Sequence, residues 1–147
     1  MRVFVALGSN LGNRDANLAL ARERLAALPG NHIVAVSTIE ETAPLGGREQ
    51  PDYLNQMLLL DTDLSPRALL EVCLAIEQAA GRIRHNQWDS RTLDIDIVRF
   101  GKLRVDDPDL QIPHPGLTDR DFWKREIREI EAQLSLTERP DNVDFTG

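Results

Sequence analysis

Apolar and polar positions alternate at the start of the chain. Val3, Val5 and Leu7 share one face of a short strand from Arg2 to Leu7. The period then lengthens. Leu18, Ala21, Leu25 and Leu28 recur at helical spacing from about Arg14 to Leu28, and Pro29-Gly30 stops that helix. His32 to Glu40 is rich in β-branched residues and reads as a second strand. Tyr53 to Thr62 reads as a third, with Leu54, Leu58 and Leu60 on one face and Asn55 on the other. Ser65-Pro66 opens a second helix, because Ser caps well and Pro is preset for the first helical position. Leu69, Cys73, Ile76 and Ala80 form its stripe, and Gly81 ends it. A fourth strand runs from Leu93 to about Phe100, and Gly101-Lys102 reads as the turn of a small hairpin. Asp106-Asp107-Pro108 is a further turn, and Ile112-Pro113-His114-Pro115-Gly116 is rigid and non-helical. Asp119 is placed to cap a last helix bearing Trp123, Ile127, Ile130 and Leu134. The order β-α-β-β-α-β plus a helix predicts an α+β, ferredoxin-like βαββαβ sandwich, an antiparallel sheet with helices on one face.

Composition bounds the class. The 147 residues suit one domain, taken as 1–136 with a loose tail over 137–147. Net charge is −7, which makes a nucleic-acid backbone a poor partner. Cys73 stands alone, so no disulfide framework or cysteine-based zinc site can form, and a reducing cytoplasm fits. No apolar run is long enough to span a bilayer, and no signal peptide opens the chain.

Against that acidic background, Gly81 to Asp96 stands out. Arg82, Arg84 and Arg91 surround Trp88, and the strand after them places Asp94 and Asp96 on the face opposite Leu93, Ile95 and Ile97. Two carboxylates on one face make a poor core and a good site for Mg²⁺, which takes oxygen ligands from one or two carboxylates plus substrate phosphates. Guanidinium groups upstream suit the phosphate oxygens. The bland alternative is a solvated strand face with neutralising neighbours. The loop Gly8-Ser9-Asn10-Leu11-Gly12-Asn13 lacks the Lys-Ser/Thr of a Walker loop, so it reads as a shaped strand-to-helix corner before a phosphate cradle. Cys73, at a stripe position, reads as a buried small hydrophobe.

Taken in order, Gly8-Ser9-Asn10-Leu11-Gly12, Pro44-Leu45-Gly46, Gln50-Pro51-Asp52-Tyr53-Leu54-Asn55, Gly81-Arg82-x-Arg84, Trp88-x-x-Arg91-Thr92-Leu93-Asp94-Ile95-Asp96 and Pro113-His114-Pro115 resemble the 6-hydroxymethyl-7,8-dihydropterin pyrophosphokinase family of folate biosynthesis, over roughly residues 2–122. The resemblance implies transfer of the β,γ-pyrophosphate of ATP to the pterin hydroxymethyl group, releasing AMP, with two Mg²⁺ ions and a monomer in the cytoplasm. It implies Asp94 and Asp96 as magnesium ligands, and Arg82 and Arg91 as loop arginines that handle phosphates. Tyr53 and Phe122 match an aromatic pair about the pterin, Asn55 its hydrogen-bonding partner, and Thr42, Ala43 and Leu45 the pocket lining. Glu77, Arg84, Trp88, His114 and Arg120 match residues on the ATP side.

The chain departs from the family pattern in places. Gln87 stands where members carry a basic residue before the tryptophan, and Asp89-Ser90 replaces Gly-Pro after it. After Phe122, the usual apolar strand is replaced by Trp123-Lys124-Arg125-Glu126-Ile127-Arg128-Glu129-Ile130, a divergent helical C-terminus. These departures motivate a second reading, a weakly active or inactive relative that binds pterin or nucleotide. A third is a ferredoxin-like regulatory or interaction module.

Overall fold

The computed structural model describes residues 1–44, 46, 49–81 and 92–137. Strand β1 (Arg2–Ser9) lies inside the sheet, antiparallel to β4 (Tyr53–Asp61) on one side and β5 (Asp94–Phe100) on the other. Strand β2 (His32–Val36) completes the order β2-β4-β1-β5, and the short β3 (Glu40–Thr42) pairs with the start of β4. Helix α1 (Arg14–Ala26) carries the chain from β1 to β2, and α2 (Pro66–Ala79) carries it from β4 to β5. Each crossover skips one antiparallel neighbour, which is the ferredoxin-like split βαβ arrangement read from the sequence. Among the described residues, no helix is long and apolar enough to cross a membrane.

One layer matches the sequence pattern closely. Val3, Val5 and Leu7 of β1, Leu58 and Leu60 of β4 and Ile95 and Ile97 of β5 pack against Leu18, Ala21 and Leu25 of α1 and Leu69, Cys73 and Ile76 of α2. The Asn13 side chain caps α1 by accepting the Ala16 N–H at 3.0 Å, and Ser65 caps α2 by accepting that of Ala68 at 3.2 Å. Cys73 is 1% exposed, and burial pushes its thiol far up, which leaves it a packing residue.

The expectation of helices on one face is corrected. Helix α3 (Asp121–Thr137) covers the opposite face, where Trp123, Ile127 and Ile130 bury against Ala6, Met57, Leu59 and Val98. The cause was present in the strands: β1, β4 and β5 are apolar on both faces near their centres. An uncovered second face would forfeit about 1.5–3 kcal/mol per large side chain. Asp119 does not cap α3. It closes a 3₁₀ turn, Pro115–Thr118, and α3 begins at Asp121.

The expected strand from His32 to Glu40 is interrupted. The β2–β4 register shifts between Ile33 and Ala35. The Ser37 hydroxyl takes the Met57 N–H at 2.8 Å, and the Thr38 N–H and hydroxyl both reach Glu129 Oε2 of α3 at 2.8 Å. Side chains thus satisfy donors a continuous ladder would have used. The small hairpin also lies further on than read: β6 (Val105–Asp107) pairs with β7 (Leu110–Ile112) around a turn at Pro108-Asp109.

Candidate active site

The site lies on the face shared with α3, beyond that helix's apolar cover. Across the sheet, Asp94 pairs with Gly8, and Gly8 pairs with Asn55, which pairs with Glu40. One row further in, Asp96 pairs with Ala6, and Ala6 with Met57. Paired residues share a face, so the two aspartates stand beside the small residues of β1, with Asn55 on the far side. Neighbouring strands are about 4.8 Å apart, which puts Asn55 and Asp94 roughly 10 Å apart across Gly8. A Cβ on Gly8 would come within 3.5 Å of both Asn55 Oδ1 and Tyr53 Cδ1. Glycine there keeps the floor between the two ends open.

At the β4 end, Asn55 is 6% exposed and its amide donates to Thr42 Oγ1 at 2.6 Å. Thr42 itself pairs with Tyr53, and Ala43 follows at the exposed end of β3. Tyr53, Asn55 and Thr42 therefore form one polar and aromatic patch. Phe122 sits half-buried in the first turn of α3, edge-on to Trp123 at 6.3 Å.

At the β5 end, Asp96 is joined by His114. The His114 N–H donates to Val98 O at 2.9 Å, which fixes the loop beside β5. Its Nδ1 accepts the Gly116 N–H at 2.9 Å. A ring whose Nδ1 accepts carries its proton on Nε2, and Nε2 lies 3.6 Å from Asp96 Oδ1. His114 also meets Trp123 edge to face at 5.1 Å, and the Arg120 guanidinium stacks 4.6 Å over that indole. A Cβ on Gly116 would collide with Arg120 Nη1, so glycine here is what lets the arginine lie back onto Trp123.

Glu77, expected on the ATP side, lies on α2 against β5. It is 4% exposed, and its carboxylate accepts the Ile95 N–H at 2.7 Å. Edge strand β5 is thus pinned between its two aspartates by a buried acid of α2, and Glu77 bears on the site through that strand.

Two features escaped the sequence reading. The first is the corner after β1, whose side chains tie the site's borders together. Asn17 is within 3.1 Å of Ser9 Oγ and 3.0 Å of Thr92 O, and the Asn10 amide donates to Pro51 O at 3.1 Å. Arg14 bonds Glu41 at 2.7 Å and Asp52 O at 2.9 Å. The second is a cleft of ≈ 290 Å³ along β5. Ile95, Asp96 and Ile97 line its floor, Leu70 of α2 one side, and Pro108 to Gln111 the other, with His114 and Pro115 at one end. Residues Leu45, Arg82, Arg84, Trp88 and Arg91 lie outside the described residues.

The chain matches the family model of 7,8-dihydro-6-hydroxymethylpterin-pyrophosphokinase (HPPK) over residues 4–132. It belongs to the HPPK family. Three relatives, each named 2-amino-4-hydroxy-6-hydroxymethyldihydropteridine pyrophosphokinase, bear this out. The Methylorubrum extorquens protein is 42% identical, with 92% of this chain and 85% of that protein covered. The Pseudomonas aeruginosa protein is 39% identical over 92% and 83%, and the Bacillus subtilis protein 36% identical over 98% and 86%. The HPPK match spans every strand of the sheet and ends within α3, so it contains the row from Asn55 to Asp94, the cleft and His114.

Proposed function

We propose that this chain transfers the β,γ-pyrophosphate of ATP to the hydroxymethyl group of 6-hydroxymethyl-7,8-dihydropterin, giving AMP and the pterin diphosphate. The observation that carries this reading is the row Asn55–Gly8–Asp94, which joins an aromatic, hydrogen-bonding patch to a carboxylate pair across an open floor. The pterin lies at the Tyr53, Asn55, Thr42 and Phe122 end, where a flat heteroaromatic ring meets π-faces and a small number of polar groups. The nucleotide lies along β5, its phosphates toward Asp96 and His114 and its base among the apolar residues of the cleft. The hydroxymethyl oxygen attacks the β-phosphorus, and the bond from that phosphorus to the oxygen bridging to the α-phosphate breaks, with AMP as leaving group. The hydroxyl proton is released.

The residues present suit magnesium. Asp94 and Asp96 offer hard oxygen donors on one half-exposed face, and the Asp96 side chain is 40% exposed. Asp94 and Asp96 would hold the ion as a carboxylate pair, an arrangement that Mg²⁺ ordinarily shares with substrate phosphates. Bound there, Mg²⁺, two ions in this reading, neutralises phosphate charge and orients the reacting groups. The chain's own part is positioning. His114 Nε2–H is a donor toward phosphate oxygens, and Arg120 on its indole shelf supplies a second cationic edge. Arg82, Arg84, Trp88 and Arg91 complete the nucleotide side and Leu45 the pterin pocket in the same reading.

The test is AMP release from Mg-ATP in the presence and absence of the hydroxymethyl dihydropterin. Pterin-dependent AMP formation, one per pterin diphosphate, is expected. Binding of either ligand without AMP would favour a non-catalytic relative, and binding of neither would leave an interaction module.

A further inference from the structure

We propose that Arg67 is a positioning residue for the nucleotide, tying together the two walls of the cleft beside β5 and offsetting part of the negative charge of its outer rim. The inference rests on the functional reading above, which puts a nucleotide in that cleft. Arg67 stands in the first turn of α2, three residues before Leu70, so the two share a helix face. Leu70 lines one side of the cleft, and Asp109 lines the other. Arg67 Nη1 meets Asp109 Oδ2 at 2.6 Å, and Nη2 meets Asp107 Oδ2 at 2.8 Å. One guanidinium thus holds a carboxylate on each side of the Pro108 turn and fastens the tip of the β6–β7 hairpin to α2.

The hairpin needs such a fastening. Its strands are three residues each, and a two-stranded ribbon of that size has little stability alone. Leu110 and Ile112 seat its returning strand in the core, while Asp106, Asp107 and Asp109 are exposed. Without Arg67 the Asp107 and Asp109 carboxylates would lose their ion-pair partner beside a cleft whose floor already carries Asp96, in a chain of net charge −7. A nucleoside triphosphate is a polyanion and would meet that field at the cleft mouth. The Arg67 hydrogen bond lowers the Asp109 carboxyl below its ordinary range, so the pair stays ionised through neutral pH.

Stability is not the reason for this arrangement. The Arg67, Asp107 and Asp109 side chains are 45%, 52% and 67% exposed, and ion pairs so open to water add little to folding. What the fork supplies is geometry, because two nitrogens in one plane fix two oxygens at a set spacing. A lysine offers one point charge and cannot do this.

The experiment compares steady-state kinetics of the wild type, Arg67→Ala, Arg67→Lys, and Arg67→Ala combined with Asp109→Asn, which restores the wild-type net charge. Arg67→Ala is expected to raise KM for Mg-ATP about tenfold, with kcat at saturating ATP, KM for the pterin and the melting temperature retained. Arg67→Lys should recover part of that loss. The charge-matched double variant should recover the electrostatic share while KM for ATP stays above wild type. An active wild type with an Arg67→Ala KM for ATP unchanged, or with kcat or the pterin KM altered equally, would overturn the inference alone. A full return to wild-type KM in the double variant would overturn the wall-tying role. A wild type that neither binds Mg-ATP nor turns over would overturn the functional reading and this inference together. Should Arg67→Ala fail to fold, Arg67→Lys carries the test, with an unchanged KM for ATP as the refuting result.

Discussion

At the scale of single residues, the site divides into groups that meet ligands and groups that leave room for them. In the proposed function Asp94 and Asp96 are of the first kind, and their alternation with Leu93, Ile95 and Ile97 was legible because strand side chains alternate strictly. Asp94→Ala or Asp96→Ala should therefore abolish AMP formation while the melting temperature changes little; turnover near wild type in both at limiting Mg²⁺ would remove them from the site. Tyr53→Ala should weaken pterin binding by about 1–3 kcal/mol, the scale of lost aromatic packing, and ATP binding much less. Equal loss of both ligands would make Tyr53 a support of the fold. Gly8 belongs to the second kind and was read only as part of a turn. The signal for its role was present: Ala6 and Gly8 are the small positions of β1, opposite in parity to Val3, Val5 and Leu7. What hid it was that a floor is defined by its cross-strand neighbours, and register is not written in one strand.

At the scale of elements, α1, α2 and the central strands were legible from periodicity and caps. The interruption after β2 was not, because the Ser37 side chain and, from distant α3, Glu129 take over backbone donors there. Helix α3 was legible as an amphipathic helix, yet its side of the sheet was not. Its apolar stripe does not say which face of the sheet lacks a cover. The helix also buries a carboxyl that no periodicity explains. Glu126 is 1% exposed, and neither oxygen has a hydrogen-bond partner among the described residues. Glu40 on β3, bonded to Arg125 at 2.6 Å, and Glu129, bonded to Thr38, are the charged groups around it. Burial first, then the Glu40 charge, push the Glu126 carboxyl from its ordinary 4.5 up to about 8. The folded chain therefore holds this proton more tightly than the unfolded one. Its contribution is intact below pH 4.5, declines by about 1.4 kcal/mol per pH unit as the pH climbs, and is lost once the pH passes about 8. Glu126→Gln should melt above the wild type at alkaline pH and alongside it in acid. A stabilisation of the same size at both ends would refute the linkage.

At the scale of the whole molecule, the question is how a chain of net charge −7 admits a triphosphate. Around the described site the carboxylates of Asp94, Asp96 and Asp109 outnumber the cations. Of those cations, Arg120 rests on Trp123 and Arg67 is held by two aspartates. The family match itself was legible in advance because its motifs recur in order along the chain, each piece weak and the ordered set specific. The balance of charge was harder to read, since it depends on which ions pair in space. The three arginines of the Gly81 to Asp96 stretch, Arg82, Arg84 and Arg91, fall in sequence between Gly81, just after α2, and Thr92, which Asn17 ties to the corner after β1. In the proposed function, phosphate charge in the transition state would then be met by magnesium and by these arginines. An interaction made mainly as the β-phosphorus changes partners lowers kcat, whereas one made equally in the ground state raises KM. Arg82→Ala should accordingly reduce kcat by about 100-fold or more, the scale of a lost charge donor at a reacting phosphate, with KM for ATP changed much less. Asp89→Gly, which removes an acid from the same stretch, should leave kcat equal to or above wild type. Single-turnover and equilibrium-binding measurements on both variants separate the two outcomes. An Arg82→Ala chain that loses ATP affinity while transferring pyrophosphate at the wild-type rate would assign Arg82 to nucleotide capture and leave the transition state to other groups.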